Sequence, residues 1–206
     1  MTSRGVVFVV DDDASVRRGL VRLLSSAGFD ARPFDSAPAF GAAPRDDAPS
    51  CLLLDQRMPE QTGLQLQQAL AGDAAILPII FLTGHADVPL SVQAMKAGAF
   101  DFLTKPVDEG QLIDAVTRAL DVSRSARAVR IERDGFLSRL DALTAREREV
   151  CALVVRGLLN KQIAAELGIA EKTVKIHRAR VMQKLGVGSV AELSRLIERT
   201  HASLRP

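Results

Sequence analysis

Val9-Val10-Asp11-Asp12-Asp13 ends a run of branched apolar residues with three carboxylates in succession. The apolar run Val6–Val10 is short and continuous, which suits a strand buried on both faces of a parallel sheet. Three other stretches end in the same way: Leu53-Leu54-Asp55, Phe81-Leu82-Thr83-Gly84 and Phe102-Leu103-Thr104-Lys105-Pro106. Each places an acidic, hydroxyl or basic side chain where an apolar run stops. In an open parallel α/β sheet, ligands sit in the crevice beyond the carboxyl ends of the strands. The four ends are therefore expected to meet at one point.

Working outward, the buried runs Val6–Val10, Cys51–Leu54 and Ile79–Leu82 alternate with longer amphipathic stretches. Such alternation implies βαβ units. Val16, Leu20, Leu23 and Leu24 form a helical stripe that Gly28 closes, and Pro89 opens another helix with Val92, Ala94 and Met95 that Gly98 closes. The Ala/Pro-rich stretch 37–49 reads as a helix and loop at the sheet edge. Five βα units are expected over roughly residues 5–125, a usual size for one domain. The expected fold is an α/β domain with a doubly wound five-stranded parallel sheet, (βα)5. An all-α domain follows it.

Asp11, Asp12 and Asp55 would repel one another in a small crevice, and a divalent cation removes that penalty. A hard ion such as magnesium takes oxygen ligands and keeps several waters. Asp55 at a strand end is expected to be exposed enough to attack a phosphoryl donor as a carboxylate nucleophile. Lys105 would stabilise charge on the phosphoryl oxygens, and Thr83 could donate to one of them. Taken singly, Asp11–Asp13 reads equally well as a solvated loop and Lys105 as a surface lysine. All four groups at the right strand ends make that alternative improbable. Gln56, beside Asp55, should point to the opposite face because neighbours on a strand alternate.

These residues resemble the receiver domain of two-component response regulators, especially the FixJ branch of the FixJ/NarL family. The matching segments are Asp11-Asp12, Asp55 followed by Met58-Pro59, Thr83-Gly84-His85-Ala86-Asp87, Met95-Lys96-Ala97-Gly98-Ala99 and Lys105-Pro106. The resemblance implies Asp55 as phosphoacceptor, with Thr83 and Lys105 assisting. It implies Mg2+ held by Asp11 or Asp12, Asp55 and the backbone carbonyl of Arg57. It further implies a cis Lys105–Pro106 bond and a switch formed by Thr83 and Phe102. A sensor histidine kinase would be the phosphate source, and the phosphorylated chain would form a homodimer through Val92, Lys96 and Asp101. Arg57 and His85 are expected to govern the lifetime of the phosphoryl group.

Charge divides the chain. Residues 1–125 carry 11 Lys+Arg against 16 Asp+Glu, and residues 126–206 carry 16 against 9. An acidic half joined to a basic half suggests that one binds cations and the other a polyanion. In the basic half, Thr144 with Glu147 forms a capping box, and Asn160 is expected to cap a helix over Lys161–Leu167 that Gly168 ends. A third helix is expected over Glu171–Leu185, and a fourth segment, Val190–Ile197, would cover the remaining face. Two helices joined by a tight Gly-containing turn describe a helix-turn-helix.

On the third helix, Val174, Val181 and Leu185 share a core side at 100° per residue. Lys172, Lys175, Ile176, Ala179 and Gln183 lie opposite. Of these, Lys175 and Ile176 are the first candidates for base contacts and Lys172 and Ala179 the next. Lys161, Thr173, Arg180 and Lys184 would hold phosphates of double-stranded DNA. His177 reads as a packed, hydrogen-bonded core histidine, and Arg178 is ambiguous. The string Gly157-Leu158-Leu159-Asn160-Lys161-Gln162-Ile163-Ala164 followed by Lys172-Thr173-Val174-Lys175-Ile176-His177-Arg178 resembles the LuxR-type output domain of the same family. Ala170 stands where that domain has a Ser-type cap. RNA polymerase is the further partner this resemblance implies.

The expected division is 1–122 receiver, 123–140 helical linker and 141–206 helix-turn-helix domain. No apolar run approaches the ~20 residues of a membrane helix, and the N-terminus lacks a signal-peptide pattern. No membrane association and a cytoplasmic location are the expectation. Cys51 and Cys151 fall in different domains and read as buried thiols. Three functions compete: a phosphorylation-switched transcription regulator, a DNA-binding protein not switched by phosphate, and an aspartate-nucleophile phosphohydrolase. The third would place a general acid two residues after Asp55, where Arg57 stands, and would need a lid insertion. The chain is therefore not expected to be an enzyme. The second reading stays open, disfavoured by the intact set of Asp55, Thr83 and Lys105.

Overall fold

The computed structural model describes residues 4–44, 47–59, 61–73, 76–84 and 88–200. Its strands are β1 (Val6–Val10), β2 (Asp30–Phe34), β3 (Ser50–Asp55), β4 (Ile79–Thr83) and β5 (Asp101–Thr104). The helices are α1 (Ala14–Ser26), α2 (Ala37–Ala42), α3 (Gly63–Ala69), α4 (Val88–Lys96), α5 (Glu109–Asp141), α6 (Ala145–Val155), α7 (Asn160–Leu167), α8 (Glu171–Leu185) and α9 (Val190–Thr200). All strand pairs are parallel, in the order β2-β1-β3-β4-β5. The five-stranded parallel sheet and the helical C-terminal domain are those expected from the sequence. The strand order reverses between β1 and β3, and that is where a parallel sheet opens its crevice.

Strand alternation sorts the core into two layers. Val6, Phe8, Val10, Leu52, Leu54, Ile79 and Phe81 pack with Phe40, Leu66 and Ala94 from α2, α3 and α4. Val7, Val9, Cys51, Leu53, Ile80 and Leu82 pack with Leu20 and Leu24 of α1 and with Leu112, Val116 and Leu120 of α5. Burial on both faces explains why β1, β3 and β4 read as unbroken apolar runs. β2 is an edge strand of mixed exposure, and the edge position accommodates Pro33, which has no amide to donate.

The chain divides into two compact units, Met1–Ala128 and Val129–Pro206. Helix α5 is continuous over Glu109–Asp141. In the first unit, Ser123 Oγ accepts from Ser50 N (3.0 Å) and donates to the Ile76 carbonyl (2.6 Å), while Arg127 pairs with Asp47 (2.7 Å). In the second unit, Phe136 and Leu140 of α5 join Cys151, Val181, Leu185 and Leu193 in one core cluster. Val150, Leu153, Ile163 and Val174 form another.

The N-termini of the second unit's helices differ in chemistry. Thr144 caps α6 as expected: its Oγ1 accepts from Glu147 N (3.3 Å), and Glu147 Oε2 accepts from Thr144 N (2.9 Å). At α7 the expectation fails. Leu159, not Asn160, occupies the cap position; its own side chain makes no capping bond, while Gln162 Oε1 accepts from Leu159 N at 2.8 Å. Asn160 is the first helical residue, and its Oδ1 accepts from Arg178 Nη1 at 3.1 Å, tying α7 to α8. That bond settles Arg178 as an interhelix strut. Gly168 ends α7 at φ 66°, a left-handed conformation that glycine adopts without Cβ strain. Ala170 starts α8 with no side-chain cap.

Candidate functional site

Strand register builds the first site. Val10 of β1 lies opposite Leu54 of β3, so Asp11 and Asp55 leave adjacent strands side by side. In strand phase, Asp55 follows Cys51 and Leu53, and Lys105 follows Leu103, all facing the α1/α5 layer. Three of the four strand ends therefore turn their charged groups to one side. Lys105 Nζ donates to Asp11 Oδ2 at 2.6 Å and to Asp55 Oδ1 at 2.6 Å. Asp11 is fully buried, and Asp55, expected to be exposed at its strand end, is only 6% exposed because it packs in the crevice against Asp11 and Lys105.

The remaining oxygens are held by the main chain. Asp55 Oδ2 accepts from Arg57 N (2.9 Å), and Asp11 Oδ1 accepts from Asp13 N (2.9 Å). Asp13 caps α1, its Oδ1 accepting from Ser15 N (2.7 Å) and Val16 N (3.2 Å). Arg17 Nη1 donates to the Asp11 carbonyl at 2.6 Å. Gly63, at the start of α3, approaches the acceptor strand closely: a Cβ there would lie 2.8 Å from the Asp55 carbonyl and 2.7 Å from the Phe81 ring. Asp13 as a cap, Arg17 and Gly63 all support the site, and the sequence reading assigned none of these roles. An Asp directly before an amphipathic stripe is a capping signal that could have found the first.

Burial pushes the Asp55 carboxyl above its ordinary range, aided by the charge of Asp11 and opposed by Lys105. Burial opposes protonation of Lys105, but its hydrogen bonds to Asp11 and Asp55 outweigh this and raise its pKa. One ammonium thus neutralises one of two buried carboxylates, and Asp12 adds an exposed third. Among the described residues no three His, Cys, Asp or Glu side chains are gathered closely enough to form a metal cluster by themselves. Magnesium does not require one, being held by one or two carboxylates plus waters. An all-oxygen donor set with charge left uncompensated fits such an ion.

Thr83 continues the phase of Ile79 and Phe81, toward the α3/α4 layer, and is 3% exposed. Phe102 lies opposite Phe81 in the β4–β5 register, with ring centroids 6.1 Å apart, and packs half-buried against that layer. Gln56 is buried beside Asp55, with its Oε1 lacking a hydrogen-bond partner among the described residues. The Lys105–Pro106 bond is cis. Arg57 is exposed, and His85 lies outside the described residues. On α4, Val92 and Lys96 are exposed, and Asp101 at the start of β5 pairs with Arg118 at 2.8 Å.

The second site is the face of α8. Val174, Val181 and Leu185 are buried, while Lys172, Lys175, Ile176, Ala179 and Arg180 are exposed, Ile176 by 45%. Thr173 is half-buried and Lys161 exposed at the start of α7. Lys184 is used differently from the expectation. Its Nζ donates to Glu147 Oε2 (2.6 Å) and the Ala142 carbonyl (3.3 Å), so its charge is directed into the domain. His177 is half-buried as expected, but its Nδ1 finds no hydrogen-bond partner among the described residues. Both cysteines are buried; burial pushes the Cys51 thiol up strongly and that of Cys151 to about 11. Among the described residues no helix is long and apolar enough to cross a membrane.

Residues 7–117 match the response regulator receiver domain, and residues 141–197 match the bacterial regulatory proteins of the luxR family. Nodulation protein W of Bradyrhizobium diazoefficiens is 45% identical over 197 residues, covering 96% of this chain and 87% of that protein. The transcriptional regulatory protein FixJ of the same organism is 39% identical over 199 residues, 97% of each chain. The structure of the response regulator StyR is similar at 49% identity and a TM-score of 0.82, covering 94% of this chain and 98% of that one.

Proposed function

The chain belongs to the response regulators of the FixJ/NarL type, and on that premise we propose that phosphorylation of Asp55 by a partner histidine kinase promotes dimerisation and promoter binding. It is a two-component transcriptional regulator and not an enzyme. The observation that carries the proposal is the Lys105 ammonium shared at 2.6 Å between Asp11 and Asp55. An ionised Asp55 oxygen attacks phosphorus, its O–P bond forms as the N–P bond of the kinase's phosphohistidine breaks, and the departing imidazole nitrogen takes up a proton from solvent. Lys105 steadies the charge of the transferred group. Asp11 or Asp12, Asp55 and the Arg57 carbonyl would hold magnesium, which supplies charge neutralisation at the phosphoryl oxygens. Arg57 and His85 would set how long the phosphate survives.

Thr83 would then move toward the phosphate and Phe102 turn inward, reshaping the surface of α4 and β5. Val92, Lys96 and Asp101 would form the dimer contact there. Such a switch requires the partner copy to bind the phosphorylated state better than the free one. In the second domain, α8 would enter the major groove, with Lys175 and Ile176 first among the base contacts and Lys172 and Ala179 beside them. Lys161, Thr173 and Arg180 would bind phosphates, and RNA polymerase would be recruited at the promoter. Such a regulator acts in the cytoplasm.

Incubation with magnesium and acetyl phosphate, followed by mapping of the acid-labile phosphate, tests the acceptor. Wild type should carry it on Asp55 and Asp55→Asn should carry none. Normal stoichiometry in Asp55→Asn would remove the assignment.

A further inference from the structure

The peptide joining Asp11 to Asp12 is where the acidic turn leaves β1. Its carbonyl oxygen accepts from Arg17 Nη1 at 2.6 Å in a partly buried contact. Arg17 itself lies in the first turns of α1, with its amide bonded to the Asp13 carbonyl at 3.0 Å. The helix that Asp13 caps thus reaches back to brace the turn that precedes it. Other bonds fix side chains: Lys105 holds Asp11 Oδ2 and the Asp13 amide holds Asp11 Oδ1. Arg17 fixes the peptide plane. Because the peptide unit is rigid and planar, orienting that carbonyl also sets the direction in which Asp12 departs.

We infer that Arg17 is a positioning residue for the magnesium-binding turn, holding the Asp11–Asp12 peptide so that both carboxylates face the crevice before the ion arrives. The inference rests on the proposed magnesium-dependent phosphorylation of Asp55. Groups that orient metal ligands without touching the metal commonly change affinity by 10–100-fold when removed. Electrostatics alone predicts the opposite sign. Arg17 is a cation beside an acidic site, so deleting its charge should strengthen cation binding. The direction of the change therefore separates positioning from charge.

Calorimetric titration with magnesium alone would compare wild type, Arg17→Met and Arg17→Lys, each checked by thermal melting. Arg17→Met should bind about 10-fold more weakly, and Arg17→Lys, which keeps a donor, should recover most of the loss. With acetyl phosphate, the half-saturating magnesium concentration should rise by the same factor while the rate at saturating magnesium stays near wild type. Equal or tighter binding by a folded Arg17→Met would overturn the inference, as would failure of Arg17→Lys to recover. If the methionine variant does not fold, Arg17→Gln replaces it with the same expectation and the same overturning result. Wild-type protein that takes up no magnesium would defeat the phosphorylation reading as well; normal wild-type uptake with undiminished uptake in the variant would defeat only the role of Arg17.

Discussion

Two lysines show how differently one residue type can be used in this chain. Lys105 lies between two buried carboxylates, at the proposed phosphorylation site. Lys184 completes a structural pair with Glu147, whose side chain is nearly fully buried. The Lys184 hydrogen bond, followed by the amide of Thr144, holds the Glu147 carboxyl down to about 2. An unfolded glutamate titrates near ~4.3, so this pair adds stability above that pH and loses it as pH falls toward 2. With Lys184 half-exposed, the contribution should be about 1–2 kcal/mol after allowance for screening. Denaturant titrations at pH 7 and pH 3 should find Glu147→Gln less stable than wild type at pH 7, with the gap narrowing in acid. A gap independent of pH would contradict the pair's role. Lys184→Ala should likewise lower stability.

At the scale of elements, the two helices of the helix-turn-helix both begin without a side-chain cap, at Leu159 and Ala170. Both residues have the extended backbone that a Ser cap adopts. Leu159→Ser and Ala170→Ser should each stabilise the protein by about 1 kcal/mol, measured as a higher denaturant midpoint with unchanged slope. No gain at either position would mean that the first-turn amides are already satisfied. The caps also show where sequence reading stops. The Ala170 deficit was legible only through the resemblance, which implies a Ser-type cap at that position. The role of Asn160 was not, since a good capping residue was recruited by Arg178, 18 positions away. Strands β1, β3 and β4 were legible because burial on both faces leaves an unbroken apolar run. β2, with Asp30, Arg32 and Pro33 at a sheet edge, leaves no such mark. Asp11, Asp55 and Lys105 could be named from strand ends, but the contacts of Arg17 and Gly63 depend on where α1 and α3 begin in space.

For the whole molecule, the proposed switch joins an acidic half that receives phosphate to a basic half that receives DNA. Residues 1–125 and 126–206 differ by a net charge of 12, from −5 to +7. DNA affinity should therefore fall steeply with salt, one counterion-release unit for each phosphate contact. Loss of Lys161 or Arg180 should lower that slope by about one unit and weaken all sequences alike, whereas loss of Lys175 or Ile176 should relax sequence preference. In the proposed switch, chemistry at Asp55 controls binding at α8. Two-fold dimers match paired half-sites about one helical turn apart. The most direct test is the affinity of the full-length chain, with and without phosphate on Asp55, for a paired site and for a single half-site. Phosphate should raise affinity for the paired site far more than for the half-site, and Asp55→Asn should show no such gain. Equal affinity in all four combinations would contradict this, leaving a DNA-binding protein without a phosphate switch.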